Sequence, residues 1–174
     1  MKRSEERIPV AISSCLGGLA VRYDGKDKKD DAILSEFAPF FRWISVCPEV
    51  EIGMGIPREP IQLVQIEGEV RLRGVESEHD WTDRMTAYAE ARAAWLVKIG
   101  VAGYVLKSRS PSCGVQTVPL YGAAERVPGM RDGLFAAAVR SKLPDLPVRE
   151  ETGLETRAGR LAFLEEVREY AAQV

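Results

Sequence analysis

The chain has 174 residues, a length that suits one domain spanning residues 1–174. Its 45% apolar and 29% charged content is ordinary globular composition, and 24 Lys and Arg against 26 Asp and Glu give a net charge of −2, which argues against a general phosphate-backbone binder and leaves only selective RNA contact open. A single histidine, His79, and three cysteines, Cys15, Cys47 and Cys113, exclude a His-rich metal site, a four-cysteine zinc site and a paired disulfide framework.

Residues 1–7 (Met-Lys-Arg-Ser-Glu-Glu-Arg) lead into only a short apolar run, Ile8 to Ile12, far below the length of an export signal. No run approaches the ~18 apolar residues of a membrane span, so no membrane association is expected. An odd cysteine count without an export signal points to the reducing cytoplasm, where thiols serve as ligands or nucleophiles. Residues 8–13 predict a buried strand, with Pro9 at its tolerant start, running into the Gly-rich turn Cys-Leu-Gly-Gly. Asp30 or Asp31 caps a helix carrying Ile33, Leu34 and Phe37 and stopped by Pro39. A second strand, 42–46, ends at Cys47-Pro48.

Gly53, Gly55, Pro57 and Pro60 then mark a loop, and Gln62 to Arg73 alternates around Gly68 as a small hairpin, an excursion from the sheet around residues 60–75. A helix from Asp80 to Ile99 carries Trp81, Met85, Tyr88 and Trp95 as its packing stripe, and Gly100 ends it. Strand 102–106 enters Lys-Ser-Arg-Ser-Pro-Ser-Cys-Gly. A Gly/Pro-rich linker at 118–131, a helix at 133–143, a strand at 146–149 and an amphipathic helix at 156–172, read through Leu161, Leu164, Val167 and Ala171, complete the chain. This order predicts an α/β fold: a three-layer, mostly parallel, Rossmann-like sheet flanked by helices on both faces, with the carboxyl ends of its strands along one edge.

All three thiols fall just past strand ends, in loops rich in Gly and Pro, so the topology brings them to that edge. Lone buried cysteines are otherwise small core hydrophobes. Structural zinc favours four ligands in two close pairs; zinc completed by His79 is conceivable, though His79 otherwise reads as a first-turn or solvent-facing residue. An iron–sulfur cluster on three cysteines fits better, because one iron then lacks a protein ligand and can act as a Lewis acid. Glu49 stands beside Cys47 and Ser110 close to Cys113. A carboxylate there can activate water and a hydroxyl can donate to developing charge, or both are plain turn residues. Lys107, Arg109 and Ser112 share the third loop and can orient a ligand, while Tyr23 in Val-Arg-Tyr-Asp-Gly can stack on a planar ring. Glu150 and Glu151 either face the site or begin the next helical turn.

Together, Ile-Ser-Ser-Cys-Leu-Gly with Val-Arg-Tyr-Asp-Gly, then Val-Cys-Pro-Glu-Val-Glu-Ile-Gly-Met-Gly-Ile-Pro-Arg-Glu-Pro, then Leu-Lys-Ser-Arg-Ser-Pro-Ser-Cys-Gly, resemble the thiouracil desulfidase family. The likeness extends from about residue 8 to residue 151. It implies a 4Fe-4S cluster on Cys15, Cys47 and Cys113 with the fourth iron open to the exocyclic sulfur of a thiolated pyrimidine such as thiouracil. Glu49 would activate water for attack on the carbon and Ser110 would assist proton transfer, with Lys107, Ser112 and Tyr23 as substrate contacts. Sulfide would leave without net electron transfer. The alternative is a non-catalytic iron–sulfur or sulfur-carrier or sensor protein on the same cysteines; a metal-free cysteine redox enzyme is a third. One departure is Cys-Leu-Gly-Gly where the family pattern has Cys-Leu-Leu-Gly, which is expected to loosen the first loop and alter the pocket. The length leaves no room for the extra C-terminal domain of some relatives.

Overall fold

The computed structural model describes residues 7–174, so the stretch before Arg7 lies outside the described residues. Its first half contains β1 (Ile8–Ser13), α1 (Asp31–Phe37), β2 (Phe41–Val46), α2 (Pro48–Glu51), β3 (Ile61–Ile66), β4 (Glu69–Gly74) and α3 (Thr82–Lys98). The second half contains β5 (Tyr104–Leu106), β6 (Val118–Tyr121), β7 (Arg126–Arg131), α4 (Leu134–Lys142), β8 (Val148–Glu150), a 3-10 turn (Glu151–Leu154) and α5 (Arg157–Ala171).

A strand apolar on both faces belongs inside a parallel sheet, and β1 is wholly buried at Val10, Ala11 and Ile12. It pairs in parallel with β2, from Ile8 opposite Phe41 to Ser13 opposite Val46, and on its other side with β5. With β8 beside β5, the order is β2-β1-β5-β8. The chain therefore leaves β1 in one direction and later crosses to the other side of it, which makes the carboxyl ends of β1 and β5 the switch point where open α/β sheets hold ligands.

Alternation along β1 sends Val10 and Ile12 to one face and Ala11 to the other. The first face packs Ile33 and Phe37 of α1 with Phe163 and Val167 of α5. Asp30 caps α1 by accepting the Ile33 amide at 3.0 Å, and Phe37 stacks on Phe41 with centroids 4.6 Å apart. The opposite face packs Ala11, Tyr104 and Leu106 against Met85 and Leu96 of α3, Phe135 and Val139 of α4, and Leu63 and Leu120 of a second sheet. Helices thus cover both faces of the parallel sheet, as the sequence predicts.

Three expectations need correction. Residues 118–131 are not a linker: β6 and β7 form a hairpin that joins the 60–75 excursion in a second four-stranded sheet, β4-β3-β6-β7. Its prolines disguise it, since Pro119 sits at a register shift and Pro128 on the exposed edge strand, where the missing N–H costs little. In α3 the core face is Met85, Ala89, Ala93 and Leu96, whereas Trp95 lies outside under the Arg92 guanidinium, 4.8 Å from its ring. Small alanines let α3 approach its neighbours closely, and the large aromatic moves to the flank. In α5, Leu161 is exposed and Phe163 takes the buried place.

Gly133, which starts α4, packs directly beneath the loop that carries Cys113. A Cβ there would lie 2.4 Å from the Ser112 carbonyl carbon and 2.5 Å from its oxygen, backbone atoms that cannot turn aside. Gly133→Ala is expected to cost about 1–3 kcal/mol by overpacking, read as a lower urea midpoint; an unchanged midpoint would show that the loop gives way freely.

Candidate active site

The three cysteine loops meet at the carboxyl edge of the parallel sheet because each follows one of its strands. After β1 the chain turns through Leu16 and Gly17, whose amides both donate to the Ser13 carbonyl, and Gly18 continues with φ +93°, a conformation that favours glycine. A Cβ on Gly17 would point at the Ser14 oxygen (3.3 Å) and the Ser45 hydroxyl (3.6 Å), and Gly17 does not line the cavity. The Cys-Leu-Gly-Gly departure therefore relieves contacts with Ser45 of β2 and with Ser14, which does line the cavity, without placing Gly17 itself on the wall. Cys47 is the N-cap of α2, with Pro48 at its first position, where a missing N–H is harmless.

Cys113 ends a tightly stapled loop. The Ser110 hydroxyl oxygen accepts the amides of Ser112 (3.3 Å) and Cys113 (3.1 Å), and Glu150 accepts the Val115 amide (2.7 Å) and the Thr117 hydroxyl (2.5 Å). From below, the Leu134 and Ala136 amides of α4 donate to the Pro111 and Ser112 carbonyls.

Cys15, Cys47 and Cys113 all line one cavity of ≈ 520 Å³, a size typical of small-molecule sites. Burial pushes all three thiols up, Cys15 to about 11, and the Cys15 and Cys113 thiols are raised further by neighbouring cysteines. This is opposite to the depressed pKa that a metal-free redox nucleophile needs. Buried thiols whose anions would repel one another become thiolates readily only when a cationic centre supplies the counter-charge. Among the described residues, no group of three or more His, Cys, Asp and Glu side chains is arranged to hold a metal ion. Iron–sulfur clusters are held by cysteine thiolates that each sit on a separate iron, and the three cysteines here line a common cavity. By its chemistry, three thiols and no imidazole at one cavity, the donor set suits an iron–sulfur cluster. His79, exposed and edge-on to Trp81 at 4.5 Å, lies off the cavity and adds no zinc ligand.

Glu49 lies on the cavity wall in a buried polar cage. Its Oε2 accepts Nε (2.8 Å) and Nη2 (2.6 Å) of Arg58, and its Oε1 accepts the Ser112 hydroxyl at 3.0 Å. The Arg58 side chain is 6% exposed and that of Glu49 14%, so this is a desolvated fork rather than a surface pair. A carboxylate oxygen has two acceptor positions, so Oε1 keeps one for a water or substrate. At Ser110 the two amides occupy the hydroxyl oxygen, which leaves its proton to donate.

Ser112 does not contact the cavity: it is fully buried, and its hydroxyl serves Glu49. Lys107 lines the cavity, but its ammonium donates to Glu151 and Ser108. Burial alone would raise the Glu151 carboxyl, yet the Lys107 ammonium and the Ser108 hydroxyl and amide hold it below its ordinary value. Glu150 and Glu151 thus both tie down the third loop. Tyr23 lines the mouth, 43% exposed, and its carbonyl accepts the Arg58 amide at 2.9 Å. Arg58, absent from the sequence-based candidates, was signalled only by its place in Ile-Pro-Arg-Glu-Pro.

The family described as 2-thiouracil desulfurase matches residues 10–151. Among curated proteins, the Bacillus subtilis (strain 168) protein called "Uncharacterized protein YbbK" is 32% identical over 110 residues, 60% of this chain and 72% of that one. Among solved structures, the 4Fe-4S-dependent thiouracil desulfidase TudS is 30% identical, with a TM-score of 0.67 over 90% of this chain and 99% of that chain.

Proposed function

The chain belongs to the 2-thiouracil desulfurase family, and from that premise we propose that it removes the exocyclic sulfur of a thiolated pyrimidine base such as thiouracil, releasing sulfide, at a 4Fe-4S cluster held by Cys15, Cys47 and Cys113. The observation that carries this reading is that these thiols, Glu49 and Ser110 all line one cavity. When bound, such a cluster supplies a Lewis-acidic iron, free of protein ligands, for the substrate's sulfur.

The chain's own residues supply the rest. Oε1 of Glu49, held by Ser112 while Arg58 grips Oε2, takes a proton from the water that attacks the carbon. Ser110 donates its hydroxyl proton toward the charge that develops as the carbon–sulfur bond breaks. Tyr23 closes one side of the mouth with an aromatic face for the ring. Lys107 holds Glu151 and Ser108 in the wall rather than the substrate. Water replaces sulfur with oxygen on the base, so the change from thione and water to carbonyl and hydrogen sulfide balances without added electrons. A reducing cytoplasm suits three unpaired thiols, and no helix of the described residues is long and apolar enough to cross a membrane.

The test is anaerobic reconstitution followed by iron and sulfide analysis and incubation with 2-thiouracil. Expected are bound cluster and equal yields of sulfide and uracil. Bound cluster without product would favour the carrier or sensor reading, and no cluster at all would end this reading and leave only a cluster-free sulfur carrier.

A further inference from the structure

Glu51 lies off the cavity wall, yet it bonds directly to the backbone of Cys47. Its Oε1 accepts the Cys47 amide at 3.2 Å, while its own amide donates to the Cys47 carbonyl at 3.0 Å, so the two residues close a ring around α2. Its Oε2 accepts the Tyr88 hydroxyl at 2.8 Å and the guanidinium of Arg92, whose Nε donates to the Tyr88 hydroxyl at 3.1 Å. Tyr88 and Arg92 are one turn apart on α3, a 17-residue helix anchored in the core by Met85, Ala89, Ala93 and Leu96.

The short element needs this help. α2 has four residues, fewer than a helix requires to hold itself, and Pro48 removes one of its N–H groups. Cys15 and Cys113 are buried at 9% and 5% exposure and fixed by packing, whereas Cys47 is only half-buried. Of the three cysteines, Cys47 is the least buried.

We propose that Glu51, braced by Tyr88 and Arg92, is the positioning residue of Cys47, holding its backbone so that the thiolate keeps register with Cys15 and Cys113 around a cluster. The inference rests on the reading that Cys47 is a cluster ligand. Glutamine at this place keeps an oxygen for the Cys47 amide, but its NH2 replaces the oxygen that accepts Arg92, so it retains the bond to the ligand's backbone and loses part of the brace. Outer partners of metal ligands typically change affinity by about 10–100-fold.

The full chain is reconstituted anaerobically, and loss of cluster absorbance is timed after adding the ferrous chelator bathophenanthroline. E51A is expected to lose cluster roughly 10–100-fold faster than wild type, and E51Q, which keeps an oxygen for the Cys47 amide but not for Arg92, to fall between the two. The urea midpoint of the cluster-free chain is expected to stay near wild type in both. An E51A cluster as durable as wild type overturns the proposal, as does E51Q failing as badly as E51A. A large fall of the cluster-free midpoint also overturns it, because Glu51 would then support the fold and not the ligand. A wild-type chain that takes up no cluster sinks the proposal together with the reading beneath it, and is distinguishable from the other outcomes.

Discussion

Cys47→Ala is expected to give a folded chain that retains little or no iron–sulfur cluster and releases no measurable sulfide from 2-thiouracil. The chain has three cysteines in all, so no spare thiol can replace the lost one. Two thiolates would leave a second iron without a protein ligand and remove one of the anchors that hold the cluster against solvent. Cys47 is the informative choice because it is half-buried, whereas Cys15 and Cys113 belong to the two cores on opposite faces of the parallel sheet. Truncating either of those leaves a void, so a loss of cluster there mixes ligand chemistry with packing. At Cys47 the fold should lose no more than about 1 kcal/mol. Iron and acid-labile sulfide per chain after anaerobic reconstitution, beside the urea midpoint of the cluster-free protein, separate the two effects. Wild-type iron content in Cys47→Ala would remove Cys47 from the ligand set.

The parallel sheet and the meeting of the thiols were legible because they follow from local signals. A short apolar run that ends at Gly, Pro or Cys-Pro marks a strand end, and parallel connections put such ends along one edge. The half of the second sheet formed by β6 and β7 was not legible, because Pro119 and Pro128 read as loop wherever pairing partners are unknown. Within the site, the residues next to cysteines in sequence were found, but not their directions. Ser112 sits beside Cys113 yet does not line the cavity and gives its hydroxyl to Glu49, and Ser110, two positions earlier, folds back over the loop amides. Arg58 was missed because a long side chain in a Pro-flanked loop can reach many places. Only the tertiary fold brings its guanidinium onto Glu49. Glu51 was hidden by its neighbour: in Cys-Pro-Glu-Val-Glu the first carboxylate draws the attention, and the second reveals its role only through Tyr88 and Arg92 on a distant helix.

Glu49→Gln is expected to leave cluster content unchanged and to lower sulfide release by about 10²- to 10⁴-fold, the scale of a lost general base. The amide keeps an oxygen for Arg58 or Ser112 but offers no site of comparable basicity to the attacking water. One complication is that Arg58, 6% exposed, loses its counter-charge. Breaking a buried pair from one side costs on the order of 3–5 kcal/mol, so a disturbed wall adds to the activity loss in Glu49→Gln. Removing both charges resolves this. In the double variant Glu49→Gln with Arg58→Met no buried cation is stranded, and stability should return toward wild type, as it does when buried pairs are replaced by apolar side chains of similar size. Sulfide release should not return, because the base is still missing. If the double variant regains both stability and activity, Glu49 served the fold and the proton acceptor lies elsewhere. If it regains stability alone, with full cluster, the carboxylate is needed for the chemical step itself, a requirement that simple carriage of sulfur or of a cluster would not impose.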